Sequence, residues 1–330
     1  MDIDYLLLLQ GVREALPQVV SSFFMLVSDL AHGPALVLLP CLAYWLFDQR
    51  RGIAVLMAFT FGSFMNQAVK ITVCCARPWM RDPRVVPFED AIESATGYSF
   101  PSGHTQSAAS VIGGFGWYNR HVLAWVLPSC TAFVLLVGLS RNFLGVHTPQ
   151  DVAAALALGI ASIWASSYAL AWADASRRNL ACLSGSLVVF AALFACYALL
   201  KPYPTAGTAA GVDLFEAMDD SMQTVGLMAG AGMGLWCARS WAGFDRASTV
   251  RQGIIRVVVG AVVVLAARYG VAGLAGLVIP ELAHAFAKEC LTTVAAMYFA
   301  PVAFIWVEGM LNGSHPKGRR PHKRQARDEA

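Results

Sequence analysis

Charged residues are scarce in this sequence. Lys, Arg, Asp and Glu make up 14% of its 330 residues, whereas soluble domains carry about 25%. Internal repeats and long polar linkers are also missing, and 57% of the residues are hydrophobic. Together these features exclude an ordinary soluble protein and predict a polytopic membrane protein.

The cysteines show no pattern of a metal or redox site. None of the eight has the spacing to histidine that is typical of a metal site, and Cys74 and Cys75 are adjacent rather than separated as in CxxC. All lie in or beside apolar segments, so we interpret them as small apolar side chains of helices.

Long apolar runs dominate what is present. Because a bilayer span needs about 20 mostly apolar residues, the sequence predicts an all-α transmembrane bundle of about nine spans. The first run is expected to form an interfacial amphipathic helix up to about residue 31 and then a span, and Pro280 with three nearby glycines predicts a broken or tilted eighth span. The predicted spans are 21–47, 52–74, 104–119, 122–139, 152–173, 180–200, 222–238, 254–279 and 290–311.

Basic residues favour one side of the predicted membrane. Arg50 and Arg51, Arg120, and Arg177 with Arg178 lie in alternate short loops, and the segment 312–330 is strongly basic. The positive-inside rule places these in the cytoplasm, so loops 75–103, 140–151 and 201–221 fall outside. The expected organisation is an outer N-terminal segment (1–20), a core (21–179), about three additional spans (180–311) and a disordered basic cytoplasmic tail (312–330). The near-absence of long soluble loops favours a bacterial cytoplasmic membrane.

The first of three polar clusters is Lys70-ITVCCA-Arg77-Pro78. Lys70 and Arg77 are seven residues apart, so on a helix they would share a face, and Pro78 is expected to end that helix. A lysine below the end of a span needs an anion or a water-filled cavity. Two cations snorkelling at the end of a span would give the same pattern.

The second cluster is Pro101-Ser102-Gly103-His104, at the start of a predicted span. Ser102 is a good N-cap, Gly103 allows the backbone to approach a ligand closely, and the free N–H groups of a helix N-terminus suit an oxyanion. His104 would lie in the first turn beside that anion. A capped helix with an incidental histidine is the simpler alternative.

The third cluster is Ser140-Arg141-NFLGV-His147-TPQ-Asp151. One interpretation is that the Asp151 carboxylate orients His147 and stabilises its imidazolium form. The other is that Thr148, Pro149 and Asp151 begin a helix, with Asp151 completing a capping box. Arg141 adds a planar fork suited to phosphate oxygens.

All three clusters fall on the predicted outer face. They supply two histidines, one carboxylate and three fixed cations, a set suited to holding a phosphate, attacking it and protonating its leaving group. In this order and spacing the clusters resemble the motifs of the phosphatidic acid phosphatase type 2 superfamily of lipid phosphate phosphatases. The match is complete at every motif position and covers roughly residues 21–173.

The resemblance implies a role for each motif residue. By it, His147 is the nucleophile that forms a phospho-enzyme, Asp151 orients it, and His104 protonates the leaving alcohol. The residues implied to bind phosphate are Lys70, Arg77, Ser102, Gly103 and Arg141. The family uses no metal or cofactor, so none is expected here.

The function implied is hydrolysis of a lipid phosphate monoester or pyrophosphate at the outer face. Candidate substrates are phosphatidic acid, phosphatidylglycerol phosphate, a polyprenyl pyrophosphate or a phosphorylated sphingoid base, and no nucleic-acid partner is expected. One alternative is a lipid-linked phosphotransferase with an acceptor other than water. Another is a non-catalytic protein that binds or transports anionic lipid.

An acidic segment follows the motif core on the same predicted face. It contains Asp213, Glu216, Asp219 and Asp220. One interpretation is a solvated loop that helps to set topology. The other is that the segment lies over the mouth of the site and acts on its charge balance.

Overall fold

The protein is all-helical throughout the part that the computed structural model describes, which comprises residues 2–31, 33–205 and 207–311. The predicted basic tail at 312–330 lies outside these ranges. The helices are α1 (Asp2–Ala15), α2 (Gln18–Leu30), α3 (Gly33–Leu42), α4 (Gln49–Val73), α5 (Pro78–Arg81), α6 (Glu89–Ile92), α7 (Gly103–Ala108), α8 (Gly114–Asn119), α9 (Val126–Phe143), α10 (Pro149–Ala173), α11 (Arg177–Leu200), α12 (Leu214–Trp241), α13 (Val250–Leu265), α14 (Ala272–Ala275), α15 (Glu281–Val294) and α16 (Ala300–Leu311).

Wider π turns interrupt several of these helices without ending them. A π turn extends α3, another joins α7 to α8, a third joins α13 to α14, and a fourth joins α15 to α16. These turns span Ala43–Phe47, Ala109–Gly113, Ala266–Val271 and Ala295–Phe299. The predicted break near residues 254–279 is thus a π turn inside one continuous helix from 250 to 275, which ends before Pro280.

Six of the described helical segments are long and apolar enough to cross a membrane: Gln49–Arg81, Val126–Phe143, Pro149–Ala173, Arg177–Leu200, Val250–Ala275 and Glu281–Leu311. The prediction of an all-helical, multi-span bundle is therefore confirmed, and the count of nine is not.

Three predicted spans have a different form in the structure. Residues 21–47 divide between α2 and the helix 33–47, and the helix 103–119 is shorter than the six long apolar segments. The predicted span 222–238 lies within the 28-residue helix α12, whose glycines lower its mean hydropathy. Small residues are enriched where helices pack together in membranes, which fits the close contacts of these glycines with neighbouring helices.

The N-terminal segment packs across the ends of the core helices. Arg13 Nη1 donates to the carbonyl of Phe143 at 3.2 Å, and Asp2 pairs with Arg81 at 2.7 Å. The helix predicted up to about residue 31 corresponds to α2, and a separate helix, α1, lies within the predicted N-terminal segment because Pro17 interrupts the chain between them.

Two opposite ends of the bundle differ in character. The three polar motifs meet at one end, which we call the motif end. At the other, the basic end, Asp174 pairs with Arg50 and with Arg239, each at 3.3 Å, and Arg51 donates to Asn119 at 3.0 Å. The sequence predicted that the loops rich in basic residues lie on one side, and in the structure these loops meet at one end of the bundle.

The C-terminal helices pack against the core through glycines and hydrogen bonds. Gly226, Gly230 and Gly234 form a stripe along α12, and a Cβ at Gly226 would lie 2.3 Å from the carbonyl oxygen of Phe286 on α15. Small residues at this spacing allow two helix backbones to approach closely. On another side of α12, Gln67 of α4 donates to Ser221 at 3.0 Å. The largest buried apolar cluster accordingly contains residues of both regions.

Candidate active site

The first motif is divided between the end of α4 and the segment after it. α4 ends at Val73, and Cys74 adopts a left-handed conformation (φ 50°) that turns the chain away. Arg77 therefore lies beyond the helix, and Pro78 begins the short helix α5. The expectation that Lys70 and Arg77 share a face of one helix is wrong, because the turn at Cys74 brings Arg77 back toward the bundle by a different route.

Arg77 is the most extensively bonded cation of the site. Its guanidinium donates to the carbonyls of Thr96, Gly97 (3.1 Å) and Val146 (3.3 Å), and its Nη1 lies 2.9 Å from Nε2 of His147. The side chain is 3% exposed. Arg77 thus fixes two backbone segments and the Nε2 edge of the His147 ring at once.

The second motif begins a helix as predicted. Ser102 is the N-cap of α7, and its Oγ accepts from the N–H of Thr105 at 3.4 Å. A Cβ at Gly103 would lie 3.8 Å from Nζ of Lys70, so the ammonium faces the start of this helix. His104 is buried in the first turn and lines the same cavity as Lys70.

Asp151 makes both the helix cap and the histidine contact on which the two interpretations rest. Thr148 caps α10 and accepts from the N–H of Asp151, while Asp151 Oδ2 accepts from the N–H of Thr148 at 2.8 Å, which completes a capping box. The same oxygen accepts from Ser99 Oγ at 2.7 Å and lies 3.3 Å from Nδ1 of His147. The cap and the histidine contact are therefore made by one carboxylate oxygen.

These contacts define the state of the His147 ring. Arg77 can only donate, so Nε2 accepts, and Nδ1 carries the proton that it shares with Asp151. Burial foremost, and then the charge of Arg77, lower the pKa of His147 below its usual range. A ring held neutral in this way keeps a lone pair on Nε2, directed toward Arg77 and the cavity.

Arg141 lies at the end of α9 and is fully buried. Its Nη1 donates to Ser28 at 2.6 Å and more weakly to Ser94 at 3.4 Å. Its Nε and Nη2 are buried and find no acceptor among the described residues. Buried guanidinium groups are normally satisfied, so these two donors are suited to an anion.

A cavity of about 470 Å³ connects most of the predicted residues. Lys70, Arg77, Gly103, His104 and His147 line it. Ser102, Arg141 and Asp151 are buried but are not among its lining residues. In the described chain no three His, Cys, Asp or Glu side chains form a group that could hold a metal ion.

Sequence reasoning missed several supporting side chains. Ser99 bonds Asp151, and Asn142 Nδ2 donates to the carbonyl of His147 at 2.9 Å. Thr96 Oγ1 donates to Asp220 at 3.2 Å, which brings α12 against the Arg77 loop. Ser99 lies just outside the second motif and Asn142 inside the third, but their residue types alone carry no signal of these contacts.

The predicted acidic loop is the beginning of α12. Asp213 caps this helix, Glu216 is exposed, and Asp219 accepts from Gln223 at 2.7 Å. Of the four acidic residues, only Asp220 lines the cavity. If the acidic segment acts on the charge balance of the site, it can do so directly only through the carboxylate of Asp220.

Comparison with known families agrees with this geometry. Residues 51–175 match the model of the PAP2 superfamily, and residues 222–312 match that of the PAP2 superfamily phosphatase transmembrane extension. The chain belongs to the PAP2 superfamily. We call residues 51–175 the PAP2 core and residues 222–312 the extension.

Individual relatives match smaller parts of the chain. Phosphatidylglycerophosphatase B of Bacillus subtilis (strain 168) is 28% identical over an alignment of 118 residues, which covers 33% of this chain and 53% of that protein. The chain thus spans about half the length of this curated relative. The crystal structure of a transmembrane PAP2-type phosphatidylglycerolphosphate phosphatase from Bacillus subtilis aligns with a TM-score of 0.41 and 21% identity, over 50% of this chain and 82% of that one.

Proposed function

We propose that this protein is a metal-independent phosphatase that hydrolyses a lipid phosphate monoester or pyrophosphate through a phosphohistidine intermediate. The observation that carries the proposal is the environment of His147. Its Nδ1 faces Asp151, its Nε2 faces Arg77, and the ring lines a cavity that also holds Lys70 and His104. Nucleophile, orienting group, cations and acid are thus assembled in one place.

The reaction follows from these contacts. A phosphate bound by Lys70 and Arg77 takes over the N–H groups that Arg77 now directs to Nε2. The freed lone pair of His147 attacks phosphorus while the bond to the lipid oxygen breaks, and His104 gives that oxygen its proton. Asp151 stabilises the cationic ring. Water, deprotonated by His104, then cleaves the phosphorus–nitrogen bond and releases inorganic phosphate.

The site is proposed to lie at the outer face of the membrane. The basic end opposite it carries the loops that the positive-inside rule assigns to the cytoplasm. In a cysteine-free background, a cysteine at position 90, near the motif end, should react with an impermeant reagent in sealed cells, and one at position 178, at the basic end, should react only after permeabilisation. Reaction of both in sealed cells would refute this orientation.

Phosphatidylglycerol phosphate is the first substrate to test, because the relative from Bacillus subtilis carries the name phosphatidylglycerophosphatase B. Phosphatidic acid, a polyprenyl pyrophosphate and a phosphorylated sphingoid base come next. Detergent-solubilised protein with EDTA should release phosphate from at least one of them. Loss of lipid phosphate without release of inorganic phosphate would indicate transfer to another acceptor, and binding without any turnover would indicate a lipid-binding protein.

His104 gives a second test of the same mechanism. General acid catalysis is worth about 10²–10⁴-fold and matters most for a poor leaving group. His104→Ala should therefore lose far more activity on an alkyl phosphate than on p-nitrophenyl phosphate, whose leaving group needs no proton. Equal losses on both would mean that His104 supports phosphate binding or the fold instead.

A further inference from the structure

The cavity extends far below the phosphate site. It is lined along one face of α4 from Lys70 through Gln67, Ser63 and Thr60 to Leu56. Lys70 and Leu56 are fourteen residues apart, which is roughly 21 Å along a helix. Since the hydrocarbon layer of a bilayer is about 30 Å thick, this cavity, which we call the chamber, covers much of that depth.

The two walls of the chamber come from different regions. Leu36 and Cys41 of α3 and Phe59 of α4 line one wall, and Leu227, Val264 and Met297 of the extension line the other. Its lower part is therefore largely apolar, and one wall is built by the extension, which carries none of the three motifs.

A polar belt separates the apolar part from the phosphate site. On the extension side the belt consists of Gln223, Thr224 and Thr293, together with the ion pair between Arg268 and Glu289 at 2.8 Å. The charges of this pair cancel, so the belt offers hydrogen bonds to an ester, amide or hydroxyl group and no net charge to a second phosphate.

The lower end of the chamber is closed by a hydrogen-bonded seam. Tyr44 donates to the carbonyl of Met297 at 2.9 Å, and Trp45 Nε1 donates to that of Ala296 at 3.0 Å. Both bonds join one π turn to another. Three of the four π turns in the described chain contribute lining residues, and π turns are frequent at functional sites.

From this geometry we propose that the chamber takes the apolar tail of the lipid whose phosphate is bound by Lys70 and Arg77. The extension then selects substrates by the length and shape of that tail. The proposal rests on the function proposed above, and continuity with the phosphate site identifies the occupant. A tail that leaves the bilayer gains little from the hydrophobic effect, because lipid is as apolar as the chamber. Selection must therefore come from fit.

Two adjacent residues of α13 allow a matched test. Ala261 lines the chamber, whereas Val262 is 60% exposed on the outside of the bundle. Ala261→Trp should fill the chamber and lower kcat/KM for hexadecyl phosphate by about tenfold or more, as pocket-filling changes do. Its activity on hexyl phosphate and p-nitrophenyl phosphate should stay at the wild-type level, and Val262→Trp should leave all three substrates unaffected.

Leu227→Phe fills the chamber from α12 and gives a second variant in case Ala261→Trp does not fold. Size-exclusion profiles and thermal unfolding in detergent report the fold of each. If both folded variants hydrolyse the long and short phosphates in the wild-type ratio, the tail does not enter the chamber and the proposal is wrong.

A binding experiment separates this inference from the proposed function. Hexadecyl phosphate with a diazirine at the end of its tail should label peptides containing Trp45 or Met297, and Ala261→Trp should abolish that label. Labelling there without phosphate release supports the chamber and refutes the phosphatase. Phosphate release with label only on lipid-facing residues supports the phosphatase and refutes the chamber as the binding site of the tail. Equal displacement of the label by hexadecanol would show that any alkyl chain fills the chamber, and would overturn the proposal.

Discussion

The PAP2 core and the extension solve different problems with different residues. The core concentrates buried polar groups at the motif end, where Arg77, His147 and Asp151 bond one another and the surrounding backbone. The extension holds few such groups and packs through the glycine stripe of α12. The difference shows that a catalytic site needs specific polar atoms at specific positions, whereas helices that only enclose a cavity need close packing. Variants of the core should therefore lose activity first, and variants of the extension should lose stability or tail selection first.

Substitution of His147 should give the largest loss of activity, with little loss of stability. His147→Ala removes the proposed nucleophile and should lower turnover on every substrate by on the order of 10⁴-fold, with little change in thermal unfolding. No phosphohistidine should be trapped. His121→Ala, an exposed histidine of the basic end, is the matched control and should behave as wild type. Phosphate release near the wild-type rate from His147→Ala would disprove the mechanism.

Arg256 is a buried charged residue in the extension, and we expect its role to be structural rather than catalytic. It pairs with Glu308 at 2.7 Å and donates to the carbonyls of Trp45 and Asp245 below the chamber. Arg256→Met leaves the largely buried Glu308 carboxylate without its charge partner, with Gln252 as the remaining hydrogen-bond donor. It should destabilise the protein by about 3–5 kcal/mol, measured by unfolding in detergent. Adding Glu308→Leu should restore much of the loss. If the double variant is no more stable than Arg256→Met, the unpaired carboxylate is not the cause.

The glycine stripe should show a moderate effect on stability alone. A Cβ at Gly230 would lie 2.7 Å from the carbonyl oxygen of Cys290, whereas one at Gly185 of α11 would meet open space. Gly230→Ala should therefore cost about 1–3 kcal/mol through overpacking, and Gly185→Ala should be neutral or slightly stabilising. Similar unfolding temperatures for the two variants would show that α12 and α15 separate without cost.

The cap of α10 should give the smallest effect. Thr148→Ala removes one capping bond and should cost about 1 kcal/mol, while Thr148→Ser keeps the hydroxyl and should cost little. Activity should change only a few-fold, because Ser99 still holds Asp151 in place. A loss of orders of magnitude in kcat without loss of stability would instead make Thr148 part of the catalytic machinery.

The sequence made the motif end more predictable than the rest of the fold. Motif spacing identified the residues that meet around His147, and local capping rules located Ser102 and Thr148 at helix starts. The path of the chain between the motifs was harder to predict from the sequence. Cys74 adopts a left-handed conformation, which is rare for residues other than glycine. No local sequence pattern therefore predicted that the helix ends before Arg77.

The extension was the least predictable region. α12 was expected to be an ordinary span at 222–238, yet it runs over Leu214–Trp241 and is buried between neighbours. Its glycines form a packing surface only once α15 is in place against them. The chamber likewise depends on contacts between residues such as Trp45 and Ala296, about 250 positions apart, which no periodicity within a helix reports.

The shared carboxylate oxygen of Asp151 has a consequence for how variants of this protein would be interpreted. In a mutational scan scored for both abundance and activity, His147 should stand out on the activity map alone and Thr148 mainly on the abundance map. Asp151 should stand out on both, since the bonds that start α10 and those that orient the histidine end on one atom. A screen that corrects activity for abundance would therefore understate the chemical role of Asp151, and the true contribution would emerge only from purified, folded protein.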